Sequence, residues 1–551
     1  MKTFPALTLS GVLALTFLTS ATMAGANLAR PTPPQYAWQE QERVMFVCLD
    51  PASWQGREYD NHSTPLSAIN PAQLDPEQWC HAAELWGAKE ILFVAKHTGG
   101  FCWWQTETSG YGIKETPWKD GKGDVLAELS AACRRHGLAL GIYVYPGDDQ
   151  WGAGMGSGGR TKDPARQAAY NAVFRQQMTE VLTRYGEMRE VWFDGSCVIE
   201  VGDLLAKYAT NAVILQGPSA TIRWVGTESG KSPYPAWNGL MVADLKTGTS
   251  TAVKGNPDGD AWAPLECDTT LYQHFWFWSP KGEKHRKSLA ELMSIYYQSA
   301  GHGAVLLLNS TPNTNGLIPE ADLNLYEAFG AEIKHRFGEP VAEVRDRRGE
   351  LAGLTLSQPA LINHAVVMED YRQGERIREY VIEGLMAGEW RPLCAGSSVG
   401  RKKIDVFQSA HVSGVRLRVT KSAAEPLIRS FAVFNMADMS AGPDVGVKAP
   451  TAAWQVCSAW QPGEANLTVV LTKFIPAPGQ FEIKFDAAEL EIIEAKLLFN
   501  GVEAAPGHLT KSRAGEFNVS QTQAVTADTR TVLRVKLRAG RAGVVFIRPR
   551  L

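Results

Sequence analysis

Residues 190–196 read EVWFDGS. Val191, Trp192 and Phe193 make a short apolar run of the kind that forms a buried strand, and Asp194 with Gly195 ends it abruptly. A carboxylate in such a place is expensive to desolvate, so it has partners or a task. Capping the next segment or closing a turn would account for it equally well on these seven residues. What decides the fold is that this run is one of a series. RVMFVC (43–48), ILFVAK (91–96), LALGIYVY (138–145), EVWFD (190–194), AVILQ (212–216), TIRWVG (221–226), PLECD (264–268) and AVLLLN (304–309) recur, with helical patterns between most of them. PEQWCHAAELWG, GDVLAELSAACRRHG and PARQAAYNAVFRQQMTEVLTRYG repeat apolar residues at three- and four-residue spacing and end in Gly. Asp124 is placed to cap the second of them. Strands alternating with helices in this way predict a (β/α)8 barrel. No helix separates the fifth and sixth runs, so the barrel is imperfect, and an open doubly wound sheet is the competing architecture.

Outward from this block the pattern changes twice. Before it, MKTFPALTLSGVLALTFLTSATMAGA has a lysine, an apolar stretch over about residues 5–18 and small residues at Ala24 and Ala26, the layout of a secretory signal peptide. Residues 1–26 are therefore set apart from the fold, and a secreted or periplasmic location is expected. After it, from about residue 338, YVIEG, VRLRVT, SFAVF, LTVVLT, FEIKF, AKLLFN, TVLRVKLR and GVVFIR are short strands between Gly, Pro and Asn turns. The division expected is a barrel over 27–337 and two β-sandwich modules over 338–440 and 450–551, parted by the linker-like AGPDVGVKAP (441–450).

With 551 residues the chain is too long for one core. A net charge of −3 without a basic run gives no reason to expect nucleic acid or an anionic membrane surface as partner, and no further apolar stretch is long enough to span a bilayer. Eight cysteines without a CxxC pair suggest buried thiols instead of zinc or a disulfide scaffold, although export would allow a pair such as Cys394 and Cys457 to oxidise.

The chemistry gathers at the ends of the runs, where a barrel places its active site. Asp50 follows the first, Lys96 and His97 close the second, and Tyr143 and Tyr145 the third. Asp194 ends the fourth, Glu228 follows the sixth, and Glu266 with Asp268 lies in the seventh. Trp103, Trp104, Trp192, Trp224, Trp237, Trp262, Trp276 and Trp278 are interleaved among them. Aromatic faces beside carboxylates suit a sugar, whose C–H face stacks while its hydroxyls hydrogen-bond. Glycoside hydrolysis needs one ionised and one protonated carboxyl group, and several are available.

The order of motifs narrows the class. WFDG preceded by an AKH…GF…W segment, a KG-D…C…HG-L…GIY block, then RWVGTE and WAPLECD, resembles the α-L-fucosidases of glycoside hydrolase family 29 over residues 36–335. RWVGTESG and AWAPLECD are similar to the branch that prefers α-1,3- and α-1,4-linked fucose, and the segment from YVIEG through GSSVGRKKID to VRLRV resembles a discoidin-like sandwich. The resemblance implies an imperfect (β/α)8 barrel followed by β-sandwich material. It implies Asp194 as catalytic nucleophile and Glu228 as acid/base, with Glu266 the rival for the second role and Glu58 the third choice. Glu58, His97, Tyr143, Trp192, Glu266 and Trp237 are the expected substrate-binding residues. The substrate implied is a fucosylated oligosaccharide or glycoconjugate; no cofactor or metal is required, and oligomeric state is left open.

Two departures bear on the sugar. The stretch FVCLDP puts Cys48 about where the family has a sugar-binding His, and Thr98 and Gly99 replace the second His and the Asp of a K-H-H-D-G-F segment. They leave two further readings: another α-L-configured sugar, or a carbohydrate-binding protein on a glycosidase scaffold. Gly154, Gly156 and Gly159 have dinucleotide-motif spacing but lie several residues past a strand and open no helix, so they read as a loop over the barrel mouth. Asp258 and Asp260 read as a turn, and Asn61 and Asn518 head formal glycosylation sequons.

Overall fold

The computed structural model describes residues 28–245, 252–436 and most of 455–550. The leader-like residues 1–26, the stretch 441–450 and the side chain of Cys457 lie outside the described residues. Eight parallel strands form one sheet: β1 (Arg43–Val47), β2 (Glu90–Lys96), β3 (Ala139–Val144), β4 (Glu190–Trp192), β5 (Val213–Leu215), β6 (Arg223–Trp224), β7 (Leu265–Thr269) and β8 (Val305–Ser310). The order is β5-β4-β3-β2-β1-β8-β7-β6. Among the described residues its two ends meet through a single parallel bridge, between Leu215 and Ile222. This is the imperfect barrel the sequence predicts, and its weak seam falls where the helix is missing, because a short β5–β6 turn leaves no room for a longer ladder.

Local chemistry explains the elements. The strands are wholly or nearly wholly buried apolar runs, as expected for a parallel sheet covered on both faces. Helix Val125–His136 is capped by Asp124, whose carboxylate accepts the Ala127 N–H, and ends at Gly137 in the left-handed conformation with three basic residues in its last turn. Inside the barrel Phe46, Leu92, Val94, Tyr143, Trp192, Val213, Leu215, Ile222, Val305 and Leu307 share one core. Three buried carboxyl groups interrupt it. Gln41 donates to Glu90, Trp38 to Glu190 and Trp192 to Glu266, at 2.6, 2.8 and 2.8 Å. Burial pushes all three carboxyls up, Glu266 to about 8, which favours its protonated form near neutral pH. Gly141 makes the space for this: a Cβ there would strike the Glu90 carboxyl.

Beyond helix Glu320–Phe337 come six antiparallel strands: β9 (Ala342–Arg348), β10 (Leu351–Glu369), β11 (Ile377–Met386), β12 (Glu389–Gly396), β13 (Lys403–Ser422) and β14 (Leu427–Phe434). Their order is β9-β14-β10-β13-β11-β12, around a core of their own. Pro359 sits mid-strand in β10 where the register against β13 shifts, a bulge that accommodates its missing N–H. These strands are fastened to the barrel. Glu42, just before β1, accepts from Tyr296 at 2.7 Å and from Arg401 and Lys402, which immediately precede β13. Burial would raise its carboxyl, but the charges of Lys402, Arg401 and Arg43 outweigh this and hold it well below the usual range. The C-terminal residues form a separate unit from 444 onward, in which a five-stranded and a four-stranded antiparallel sheet share one core.

Candidate active site

At the carboxyl end of the barrel a pocket of about 140 Å³ is lined by Phe46, Cys48, Glu58, Tyr59, Val94, His97, Tyr143, Trp192, Asp194, Gln216, Trp224, Glu228, Asp268, Trp276 and Phe277. Six of the eight residues expected from the sequence meet there. Glu266 and Trp237 are not among the lining residues. Glu266 is fully buried beneath the floor, where it accepts from the Trp192 indole, so it cannot reach a glycosidic oxygen. Trp237 is buried under the Arg378 guanidinium, 4.9 Å from its ring centre, and its carbonyl accepts from Arg223 at 2.6 Å. Lys96 likewise turns out of the barrel, towards Gln177 and Tyr170 of helix Gln167–Arg184.

Asp194 owes its direction to the backbone. Its φ is 49°, a left-handed conformation rare for a non-glycine residue, and Gly195 follows at 94°. Gln216 and Gly217 repeat the pattern at the end of β5, at 63° and 72°. The Gly195 N–H donates to the Gln216 side chain, which ties the two strand ends together. The double left-handed turn leaves the Asp194 carboxylate open to the pocket, where Tyr143 donates to its Oδ2 at 2.8 Å. Solvent reaches it through the mouth, yet the close walls strip much of its hydration. That desolvation raises its carboxyl; the Tyr143 hydroxyl opposes the rise and the charge of Glu228 adds to it.

Glu228 stands exposed on the loop after β6 and accepts from the Trp276 indole at 3.2 Å. Glu58 accepts the Trp276 backbone N–H at 2.9 Å; burial raises its carboxyl, this hydrogen bond lowers it, and Glu228 raises it again. Asp268 lies on the floor, accepts from the Trp224 indole at 2.6 Å and is pushed up to about 8 by burial, so it presents a neutral acid to the pocket. His97 stacks on Tyr59 (5.9 Å, 7° between planes) and meets Phe277 at 4.9 Å. Burial pushes its imidazole down to about 3, so it is neutral, and its Nδ1 is without a partner. Cys48 lines the wall with a thiol that burial keeps protonated.

The structure also accounts for Gly99. Asp60 occupies the space where a side chain at 99 would stand, taking the Tyr111 hydroxyl at 2.6 Å and the Gln55 amide at 2.6 Å. His62 closes the same corner by bonding the Gly99 carbonyl at 2.8 Å. Gly156 N–H donates to the Tyr145 hydroxyl at 2.7 Å, so the glycine loop borders the third strand's end. Sequence reasoning missed Gln216, Tyr59, Phe277 and the Asp60 corner. Only the Gln-Gly pair after β5, parallel to Asp-Gly after β4, carried a signal for one of them.

Carboxyl groups and indoles converging at the carboxyl mouth of a parallel barrel define a glycoside hydrolase. Among the described residues no group of three or more His, Cys, Asp and Glu is arranged to hold a metal ion. The α-L-fucosidase family profile matches residues 36–336. Alpha-L-fucosidase 1 of Arabidopsis thaliana is 29% identical over 450 residues, 73% of this chain and 86% of that protein. A crystal structure of a candidate α-L-fucosidase from Bacteroides thetaiotaomicron VPI-5482 superposes with a TM-score of 0.69 at 31% identity, covering 74% of this chain and all (100%) of that one. A glycoside hydrolase 29 family member from an unknown rumen bacterium gives 0.68 at 25% identity, over 95% of this chain and 96% of its own. The chain belongs to the α-L-fucosidase family.

Proposed function

We propose that the protein is an exported, retaining exo-glycosidase that removes terminal α-L-fucose, α-1,3- or α-1,4-linked, from oligosaccharides or glycoconjugates. Asp194 attacks the anomeric carbon and forms a covalent fucosyl-enzyme. Glu228 protonates the departing oxygen, then deprotonates the water that releases the sugar. The observation that carries this reading is that Asp194 and Glu228, from the ends of β4 and β6, line one pocket, where the charge of Glu228 acts on Asp194. The Tyr143 donor favours the ionised nucleophile, and solvent exposure lets Glu228 exchange its proton between steps. A walled pocket suits a terminal sugar better than a chain interior. The RWVGTE and WAPLECD motifs support the linkage, and the apolar leader supports export. Another α-L-configured pyranose is the second reading, favoured by Cys48 on the wall, since a thiol is a weaker hydroxyl partner than an imidazole.

The test is hydrolysis of 4-nitrophenyl α-L-fucoside by wild type and Asp194→Ala, with the first-formed anomer followed by NMR. Activity in wild type, loss in the variant and an α-configured first product support the proposal. Full activity in Asp194→Ala overturns the nucleophile, and a β-configured first product overturns retention. An inactive wild type that cleaves a different α-L-glycoside establishes the second reading.

A further inference from the structure

Trp276 lies in the segment between β7 and helix Leu289–Gln298 and touches two of the carboxyl groups that line the pocket. Its backbone N–H donates to Glu58 Oε2 at 2.9 Å, and its indole Nε1–H donates to Glu228 Oε2 at 3.2 Å. The residue is itself held in place. Its carbonyl accepts from Asn309 at the end of β8 at 3.0 Å, and its ring meets Phe46 of β1 edge-on at 5.8 Å. Glu58 comes from the loop after β1 and Glu228 from the loop after β6; β7 and β8 lie between those strands in the sheet. One residue therefore spans the gap between two loops that have no backbone pairing. Among the described residues the Trp276 indole is the hydrogen-bond partner of an otherwise exposed Glu228 carboxylate.

We propose that Trp276 is a positioning residue for proton transfer, holding Glu228 through its indole and Glu58 through its backbone so that the two carboxyl groups stay in register across the pocket. The inference rests on the acid/base role proposed for Glu228. An indole N–H can only donate, so it favours the ionised carboxylate that must accept a proton from water in the second step. It also fixes one oxygen of Glu228 and leaves the other free to carry the proton to the departing oxygen in the first. Glu58, fixed by a backbone donor, keeps its place whatever side chain stands at 276.

The experiment compares wild type with Trp276→Phe, which removes the indole donor and leaves the backbone N–H. A second variant carries β-(3-benzothienyl)alanine at 276, where sulfur replaces only the N–H. Each is assayed across pH on aryl α-L-fucosides of graded leaving-group acidity. A donor to the ionised form is lost, so the alkaline limb of kcat/KM, which follows the protonated acid/base group, is expected to move to higher pH. Rates on poor leaving groups fall roughly tenfold, while a 2,4-dinitrophenyl leaving group, which needs little protonation, falls less than about threefold. Equal falls on all substrates with an unmoved limb overturn the proposal and leave Trp276 as wall packing. Glu228→Gln assayed alongside separates the two failures. Wild-type rates on poor leaving groups in Glu228→Gln overturn the acid/base assignment, and this inference with it. Loss there, with an unmoved limb in both Trp276 variants, overturns the positioning role alone.

Discussion

The Tyr143 hydroxyl donates to Asp194 Oδ2 at 2.8 Å, from the end of the strand next to the one that carries the carboxylate. Burial keeps this phenol protonated, so it is a fixed donor throughout the working pH range. Tyr143→Phe removes the hydrogen bond that lowers the Asp194 carboxyl and leaves burial and Glu228 to raise it. The ionised nucleophile is then lost sooner as pH falls. The acid limb of kcat/KM on 4-nitrophenyl α-L-fucoside should move to higher pH, with a drop of roughly tenfold at the optimum. An unmoved acid limb contradicts this role for Tyr143.

Asp60 and Gly99 exclude each other, because the carboxylate fills the room a side chain at 99 would need. Gly99→Asp alone should lose about 1–3 kcal/mol from overpacking and from displacing Asp60 off Tyr111 and Gln55. Asp60→Gly combined with Gly99→Asp moves the carboxyl from one loop to the other and should recover much of that loss. Thermal melts of both singles and the double give the coupling, and strict additivity would show that the two positions do not compete.

Glu369 tests the pH dependence of folding away from the pocket. Its Oε1 takes the N–H groups of Arg376 and Ile377 at 2.6 and 3.0 Å, its Oε2 is buried without a partner, and burial lifts its carboxyl from 4.5 to about 8. The folded state therefore holds a proton that the unfolded chain releases between those two values. Stability contributed at this site is present below pH 4.5 and falls as pH rises towards 8. Glu369→Gln is neutral at every pH. It should match wild type in a melt at pH 5 and exceed it at pH 8.5 by a few degrees, on the order of 1–3 kcal/mol. A constant difference across pH would refute the buried proton.

Glu42→Ala removes the carboxylate that the buried cations Arg401 and Lys402 share. Breaking such a cluster from one side costs about 3–5 kcal/mol. The melting temperature should fall by several degrees with kcat on an aryl fucoside little changed for the molecules still folded. A chain ended at residue 338 leaves Glu42 with Arg43 as its cation and should be recovered unfolded or aggregated.

Much of the barrel could be read from the sequence because parallel strands buried on both faces are continuous apolar runs. Each of the eight runs overlaps its strand, and Asp124 caps the helix it was expected to cap. The β10 strand escaped notice because Pro359 and a stretch of polar residues break its alternation, a break that the bulge absorbs. In the site, residues at strand ends were visible, since a carboxylate after an apolar run stands out. Trp237 and Trp276 looked alike in sequence; what separates them is where their loops lead, one under Arg378 and the other into the pocket. Asp60 was hidden for a related reason. Its partners Gly99 and Tyr111 are far along the chain, and no local pattern announces that a carboxylate from one loop fills the vacancy in another.

Glu42 precedes the first strand of the barrel, and two of its counter-charges arrive from positions 401 and 402. During synthesis the ribosome delivers the carboxylate long before the cations. A nascent barrel that closed early would leave Glu42 with Arg43 alone beside it, and burial would push its carboxyl towards the neutral form. The barrel and the β9–β14 sheet thus share one electrostatic joint, whose carboxylate and whose cations enter the molecule some 360 residues apart.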